Sequence, residues 1–351
     1  VLVITDFGVP KVVGGQAQVL ATDIYKQVIG QQNFEMGAVV GVVLLLPALV
    51  AFLAERHLRA RQAAALGARA VPYQPAPAPL RDRLALLFCG LVALVLLAVI
   101  GMAVFASLAT YWPYDLRPSL RNYRFDDMDG GGWASYGNSI RLAIGTAIIG
   151  AAASFVSAYL VDKPRHAGLA RELLNLFAAL PLAVPGLVLG LGYILFFNRP
   201  GNPLQPLYGT MTILVLCTVA HFYSVAHLTQ LAALRQLDRE FEAVSESMSV
   251  PFWRTVWRVH LPVCAPTVID VGGYFFVNAM TTVSAVVFLY APQSTLASVA
   301  VLNMDDAGDV APAAAMAVMI FLTAGAARLL LAGLRAWVVL RTQRWRSREA
   351  A

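Results

Sequence analysis

The stretch "EAVSESMSVPFWRTVWRVHLP" (residues 242–262) decides how this chain is organised, because it is a polar, Trp- and Arg-containing segment between two apolar ones. The 351 residues are 59% hydrophobic and only 13% charged. A water-soluble globular domain of this composition would be covered in exposed apolar patches. The sequence therefore predicts an integral membrane protein, in which residues 242–262 form an amphipathic island.

The formal net charge of +6 raises the alternative of a nucleic-acid-binding protein. The basic residues, however, lie between apolar runs rather than in one patch interleaved with aromatic residues. This distribution favours contact with a lipid bilayer and excludes nucleic acid as a partner.

Apolar windows long enough to cross a membrane occur on both sides of the island. A hydrocarbon core of about 30 Å requires about 20 apolar residues in a helix. The segments must be helical, because lipid cannot satisfy free backbone groups and the segments lack the alternation of barrel strands. The sequence thus predicts an all-α, polytopic membrane bundle with spans at approximately 36–54, 84–109, 139–161, 173–197, 208–230, 265–290 and 312–340.

Arginine and lysine residues are concentrated in alternate connections between these windows, and such residues favour the cytoplasmic side. The island belongs to the basic set, as do the first connection, the third connection and the C-terminal tail. The basic residues of this set include Arg56, Arg81, Lys163, Arg171, Arg235, Arg254, Arg258 and Arg341. The island is therefore predicted to lie in the cytoplasm.

An Ala- and Pro-rich stretch at 64–83 has the composition of a semi-extended cytoplasmic linker between two modules. Residues 84–340 then form a complete six-span module with its cytoplasmic loop at 235–262, followed by a basic tail at 341–351. Residues 1–63 are predicted to be the end of a first module, an outward loop plus its last span, whose earlier part is missing. A gapless alignment of 20–44 on 296–320 matches loop to loop and span to span, as in transporters built from parallel repeats.

Two amphipathic helices joined at a bend are predicted within the cytoplasmic loop. One apolar face combines Leu234, Leu237, Phe241, Val244 and Met248, and a second combines Trp253, Val256, Trp257 and His260. The bend falls at Ser249–Pro251. Such a pair either lies on the lipid headgroups with its Trp residues as anchors or docks into a soluble partner, and amphipathicity alone does not separate these alternatives.

The run "LDREFEAVSESMSVPFWRTVWRVHLPVCAP" (237–266) resembles the cytoplasmic coupling loop of ABC-importer permeases, written Glu-Ala-Ala, three residues, Gly, nine residues, Ile-x-Leu-Pro. When Leu261-Pro262 is the anchor, Ser249 takes the Gly place and Glu242 precedes its expected place by one residue. The resemblance implies that the loop binds an ATPase through Glu242, Ala243, Ser249, Trp253, Arg254, Leu261 and Pro262.

The same resemblance implies an importer subunit of the bacterial inner membrane that works with ATP-binding cassette subunits and a periplasmic substrate-binding protein. The chain would bind no cofactor and no metal and would not be an enzyme. Because it contains no G-x-x-x-x-G-K-[ST] nucleotide motif, ATP would be hydrolysed by a separate subunit. Residues 276–317 most resemble 2-aminoethylphosphonate permeases, and iron(III), polyamine and sulfate remain alternative substrates.

Polar residues within the spans are candidates for a translocation path, because such residues tend to face a bundle interior or cavity. They are Asn278, Thr281, Thr282 and Ser284, together with the helix-weakening Pro185 and Gly186. Hydrogen bonding between helices, or tight packing, would explain the same residues. The outward segment 123–138 is either a solvated turn or a contact for a delivery protein.

Two other functional classes are less well supported by the residues. An intramembrane enzyme would pair carboxylates or assemble a His/Asp/Glu cluster within the spans, and no such arrangement is evident. An ion-driven transporter would place an ionisable residue at mid-membrane, whereas Asp270, the only acid within a span, lies near the cytoplasmic end.

Overall fold

A computed structural model describes residues 7–15, 19–62, 78–128, 130–164, 168–237 and 240–342, apart from the side chains of 55–56 and 59–62. Most of the predicted linker and tail, and positions 238–239 of the cytoplasmic loop, lie outside these ranges. The described part is almost entirely helical, with one small antiparallel hairpin of β1 (Ala109–Tyr111) and β2 (Asp115–Pro118). The all-α prediction is confirmed.

The helices follow the apolar windows and the connections between them. In chain order they are α1 (Gly8–Val13), α2 (Leu20–Tyr25), α3 (Phe34–Gln62), α4 (Pro79–Leu108), α5 (Gly132–Asp162), α6 (Gly168–Ala179), α7 (Gly186–Phe197), α8 (Met211–Arg235), α9 (Glu240–Ser247), α10 (Phe252–Thr255), α11 (Leu261–Thr281), α12 (Ala297–Asp306) and α13 (Val310–Thr342). A π-helical turn at Lys26–Gly30 extends α2, and another at Val256–His260 joins α10 directly to α11.

Among the described residues, six helical segments are long and apolar enough to cross a membrane, and a seventh crossing requires a bent pair. That pair comprises α6 and α7, which meet at 109°. The predicted straight span at 173–197 is therefore wrong in shape. A 3-10 turn at Leu180–Leu182 interrupts it, and Pro185, which cannot donate a backbone hydrogen bond, caps the second half.

The predicted span at 265–290 also differs from the structure. Its helix ends at Thr281, and Thr282 is extended with ψ 135°. Residues 285–289 are apolar because they are buried in the core as non-helical turns, not because they continue the helix. The apolar composition of residues 285–289 thus reflects burial in the protein. Periodicity over a run of this length cannot distinguish a turn from a helix.

The bundle is centred on α5, which packs against α8 and α11. The α5–α11 approach depends on Gly150, because a Cβ at that position would lie 2.7 Å from the Phe275 ring. Phe275 is completely buried. In contrast, α4 packs mainly against α13 and exposes apolar side chains along most of its length, as expected for a helix in contact with lipid.

Two helical corners in the chain have matching geometry. An offset of 276 places the start of α3 at Phe34 on the start of α13 at Val310. The same offset places Gln32 (φ 54°) on Gly308 (φ 87°), so both corners turn through a left-handed residue. It also brings the starts of α2 and α12 within one position. The gapless alignment of 20–44 on 296–320 thus superposes like elements.

Candidate functional site: the cytoplasmic loop

The cytoplasmic loop connects two spanning helices at the end of the bundle that the basic residues assign to the cytoplasm. Helix α8 ends at Arg235, α9 follows, and α10 leads through the π-helical turn into α11. The cytoplasmic end of α5 lies against the loop, so that α5, α9 and the π-helical turn meet there. The loop is therefore attached to more than one spanning helix.

A Schellman-type cap forms the bend between α9 and α10. The Val250 amide donates to the Ser245 carbonyl over 2.9 Å, and the Ser249 amide donates to the Glu246 carbonyl over 3.0 Å. Ser249 has φ 53°, the left-handed conformation for which glycine is preferred. The structure thus places the turn at the residue that occupies the motif's glycine position.

Six apolar side chains of the loop are exposed, and one of them, Phe252, also lines the cavity beside the end of α5. We call these side chains the coupling face: Phe241, Val244, Met248, Phe252, Trp253 and Trp257. The Arg254 guanidinium lies 5.2 Å from the centre of the Trp253 ring and extends this surface. Ala243 and Ser249 are also exposed.

The predicted apolar faces of the loop are corrected by the structure. Leu234 is fully buried within α8, so the first face is exposed only from Phe241 onward. The second face is divided, because the π-helical turn shifts the register after Thr255. As a result Trp253 and Trp257 point outward, whereas His260 is completely buried.

Charged groups join the inner side of the loop to α5. The Lys163 Nζ lies 2.6 Å from the Glu242 Oε1 and 3.3 Å from the Asp162 Oδ2. The same Glu242 oxygen is 3.3 Å from the His260 Nε2. Arg235 approaches Asp162 at 3.7 Å from the end of α8. We call these four charged side chains and the His260 imidazole the charge cluster, which contacts α5, α8, α9 and the π-helical turn.

Burial makes this cluster different from an ordinary surface ion pair. The side chain of Lys163 is 6% exposed and that of Glu242 is 20% exposed. Sequence reasoning placed Glu242 in the ATPase-binding loop but treated Lys163 only as a charge that orients the chain. The missing signal was spatial, because 79 positions separate two residues that no local pattern connects.

Other parts of the loop complete its attachment. The Ser245 and Thr255 hydroxyls are hydrogen-bonded across the bend. Leu261 packs in a small core with residues of α5 and α8, and Pro262 lies in the first turn of α11. A cavity of about 680 Å³ remains between the loop, the end of α5 and Arg171 of α6. The loop therefore has packed contacts on one side and a cavity on the other.

The candidate path residues do not form one surface. Asn278 and Thr281 donate to the carbonyls of Tyr274 and Val277 in their own helix, and both line an apolar groove of about 780 Å³ beside α13. Thr282 is buried, and its carbonyl accepts a hydrogen bond from Ser298. The Asn278 amide and the Thr281 hydroxyl are therefore hydrogen-bonded within their own helix.

The breaks in two spans nevertheless meet at one point. A Cβ at Gly186 would overlap the Ser284 hydroxyl and would lie 3.0 Å from the His221 Cε1. Pro185 is the N-cap of α7 at this position. The structure thus brings Pro185, Gly186 and Ser284 together, at the start of α7 and just beyond the end of α11.

A polar network that sequence reasoning missed joins α5 to α8. The His227 Nδ1 and the Ser157 hydroxyl are 2.8 Å apart, and the Tyr223 hydroxyl donates to the same Ser157 oxygen over 2.6 Å. Gln230 donates to the Ser154 hydroxyl over 3.0 Å. These residues recur on the inner face of α8, but their partners on α5 could not be identified from one sequence.

The ionisable groups of the spans have structural partners or lie apart from one another. The Asp270 carboxylate is 3.1 Å from the Arg335 Nε. In the described part of the chain, no group of three or more His, Cys, Asp or Glu side chains could hold a metal ion. His221 and His227 are therefore not part of such a group.

The outward segment 123–138 combines buried and exposed residues in the part that the structure describes. Phe125 is buried and its ring lies 4.9 Å from that of Trp133. The Asp126 carboxylate accepts a hydrogen bond from the Trp133 amide over 3.0 Å. The Asn138 amide group donates to the carbonyls of Gln293 and Thr295 in the last outward loop. The segment thus holds the outward end of α5 to that loop.

The chain resembles curated ferric and phosphonate permeases. It is 28% identical over 315 residues to the ferric transport system permease protein FbpB of Actinobacillus pleuropneumoniae, covering 87% of this chain and 45% of that protein. It is 27% identical over 150 residues to the putative 2-aminoethylphosphonate transport system permease protein PhnV of Salmonella typhi, covering 42% and 55%. The chain thus spans about half the length of these relatives.

Solved structures support the fold. A chain in the crystal structure of a bacterial alginate ABC transporter, in complex with alginate pentasaccharide-bound periplasmic protein, matches with a TM-score of 0.56. The sequence identity is 14%, and the match covers 71% of this chain and 93% of that one. At this identity the similarity establishes the architecture alone.

The model of the family described as "Binding-protein-dependent transport system inner membrane component" matches residues 150–336, which is more than half of the chain. That region contains the bent α6–α7 pair, the coupling face and all five members of the charge cluster. The chain therefore belongs to the binding-protein-dependent transport system inner membrane component family.

Proposed function

We propose that this chain forms a membrane-spanning part of an ATP-driven importer and receives mechanical work through its cytoplasmic loop. The observation that carries the proposal is the coupling face, an exposed apolar surface at the cytoplasmic end, held to α5 by buried charges. A surface that only anchored the chain to headgroups would not need this internal attachment.

The proposed partners are ATP-binding cassette subunits in the cytoplasm and a periplasmic substrate-binding protein outside. An ATPase is required because the sequence contains no phosphate-binding Gly-Lys motif of its own. Aromatic and Met side chains such as Phe252, Trp253 and Met248 are typical of protein interfaces. A cleft in the ATPase is the proposed occupant of the coupling face.

Iron(III) is the substrate we favour, and 2-aminoethylphosphonate is the second candidate. The similarity to the ferric permeases extends over most of the chain, whereas that to the phosphonate permeases covers 42% of it. The earlier preference for 2-aminoethylphosphonate depended on residues 276–317 alone. About half of those residues are buried in the core of the bundle.

We further propose that residues 7–62 belong to a module that precedes the six-span module. The two corners that share left-handed residues at Gln32 and Gly308 support a parallel repeat. The segment packs on the outward end of the next module, where the Lys11 Nζ lies 2.8 Å from the Asp306 carboxylate. Gly41 of α3 also lies close to Val188 of α7.

Reconstitution tests the proposed coupling. The chain, with its ATPase subunits and binding protein, is placed in proteoliposomes, and the double variant Phe252→Ala/Trp257→Ala is compared with Phe88→Ala on the lipid-facing side of α4. The loop variant should lose ATPase association and ATP-driven uptake, while the α4 variant should retain both. Unchanged association in the loop variant would contradict the proposal.

Two uptake measurements separate the substrates and the energy source. Iron(III) uptake is compared with 2-aminoethylphosphonate uptake in a host that lacks both systems. Uptake should require ATP and should survive collapse of the proton gradient. Loss of uptake on collapse, with ATP still present, would indicate an ion-driven transporter instead.

A further inference from the structure

The buried side of the cytoplasmic loop assigns a separate role to Glu242. Its carboxylate lies 2.6 Å from the Lys163 Nζ at the end of α5, and its side chain is 20% exposed. The same oxygen is 3.3 Å from the His260 Nε2, one residue before α11 begins. One carboxylate thus contacts groups that belong to two spanning helices.

Burial limits what this carboxylate can bind. A protein that docked on the coupling face would meet Phe241 and Val244, which are exposed on either side of it in sequence, before it met Glu242. Lys163 is nearly enclosed, and a buried ammonium without a counter-charge is strongly disfavoured. Withdrawal of Glu242 to an external partner would leave Lys163 with Asp162, which already approaches Arg235.

We propose, on the basis of the importer function above, that Glu242 is a positioning residue and not an ATPase contact. It clamps α9 to Lys163 of α5 and lies beside His260, which precedes α11. When the ATPase moves the coupling face, α9 carries these two helices with it. The coupling face binds the ATPase, and the charge cluster transmits the displacement of α9 to the spanning helices.

The Ser245–Thr255 hydrogen bond fits this role, because it fixes α9 to α10 on the same inner side. The Schellman-type cap restrains the same two helices through the backbone. The two helices of the loop therefore move as one body, and the charge cluster is the part of that body that contacts α5.

A double-mutant cycle tests the clamp in the complete transporter. The variants are Glu242→Gln, Lys163→Gln and the double variant, and Glu172→Gln on the exposed surface of α6 is the matched control. Each single variant should retain ATPase association and lower the amount of substrate imported per ATP hydrolysed by about tenfold, as expected for the loss of one buried charge partner. The double variant should be no worse than either single one, because both changes remove the same contact.

A second measurement needs no ATPase. Amide hydrogen exchange of residues 240–247 in the purified chain should become faster in Glu242→Gln and in Lys163→Gln but should be unchanged in Glu172→Gln. The clamp exists within this chain, so its loss must be visible without a partner. This readout stays valid even where transport activity is too low to measure.

Three results would overturn the inference. They are loss of ATPase association in Glu242→Gln, multiplicative effects of the two single changes, and unchanged exchange of residues 240–247 in the isolated chain. Failure of the importer assignment is distinguishable, because the unmodified chain would then show no association with ATPase subunits at all.

Discussion

Replacement of Ser249 by glycine should stabilise the bend of the cytoplasmic loop. Ser249 is the left-handed residue of the Schellman-type cap that ends α9, with φ 53°. An L-residue in this conformation is disfavoured by about 1–2 kcal/mol, because its Cβ approaches the following carbonyl oxygen. Glycine has no Cβ and adopts the conformation readily.

The size of the gain follows from two opposing terms. Relief of the steric cost favours Ser249→Gly, and the greater freedom of glycine in the unfolded chain opposes it by about 0.5–1 kcal/mol. The net stabilisation should be about 0.5–1 kcal/mol. Ser249→Val should lower stability by about 1–2 kcal/mol, because a β-branched residue is least compatible with positive φ.

Local hydrogen exchange is the appropriate assay, because the bend can open without unfolding the spans. Amides of residues 244–250 should exchange about two- to fivefold more slowly in Ser249→Gly, since 1.4 kcal/mol corresponds to tenfold. The matched control is Ser247→Gly, in the last helical position of α9, where glycine should accelerate exchange. If both glycine variants change the rate in the same direction, the geometry assigned to Ser249 is wrong.

The remaining predictions concern close approaches between spans. Gly150→Ala should destabilise the protein by about 1–3 kcal/mol through overlap with the Phe275 ring, measured as thermal unfolding in detergent. The control is Gly272→Ala, because no atom lies within 4 Å of the Cβ added there. Equal melting temperatures of the two variants would contradict the packing. Gly186→Ala should reduce uptake without loss of ATPase association, because the new Cβ displaces the Ser284 hydroxyl. Removal of that hydroxyl by Ser284→Ala should restore part of the uptake, and no restoration would mean that the contact is irrelevant.

Much of the fold could be predicted because the membrane imposes simple rules. Length and apolar composition identified most of the spans, and the Arg/Lys distribution predicts their orientation. The exceptions were the places where protein replaces lipid as the environment. Residues 285–289 are as apolar as a span but form buried turns, and the 173–197 window is two helices at 109°. In both cases local turn hydrogen bonds, such as those from the Val287 amide to the Val283 carbonyl and from the Ala183 amide to the Leu180 carbonyl, satisfy backbone groups that a straight helix would pair in its regular ladder.

The cytoplasmic loop shows a different limit of sequence reasoning. The sequence predicted a bend at Ser249–Pro251, because these residues interrupt the apolar periodicity, and the structure has its left-handed residue at Ser249. The direction in which Glu242 points has no local signature. It depends on Lys163, which lies on another helix, and on the π-helical turn that buries His260.

The contact between Glu242 and Lys163 has a consequence for how force would pass through the loop under the proposed coupling. An ion pair exposed on the coupling face would be weakened by salt and solvent, and its contribution would be small. A buried charge cluster is screened less, and its separation leaves uncompensated charges in the protein interior. Displacement of α9 away from Lys163 is therefore less favourable than displacement of α9 together with α5. The arrangement favours rigid-body motion of α9 with the cytoplasmic end of α5, and the 680 Å³ cavity beside Arg171 provides space for that motion.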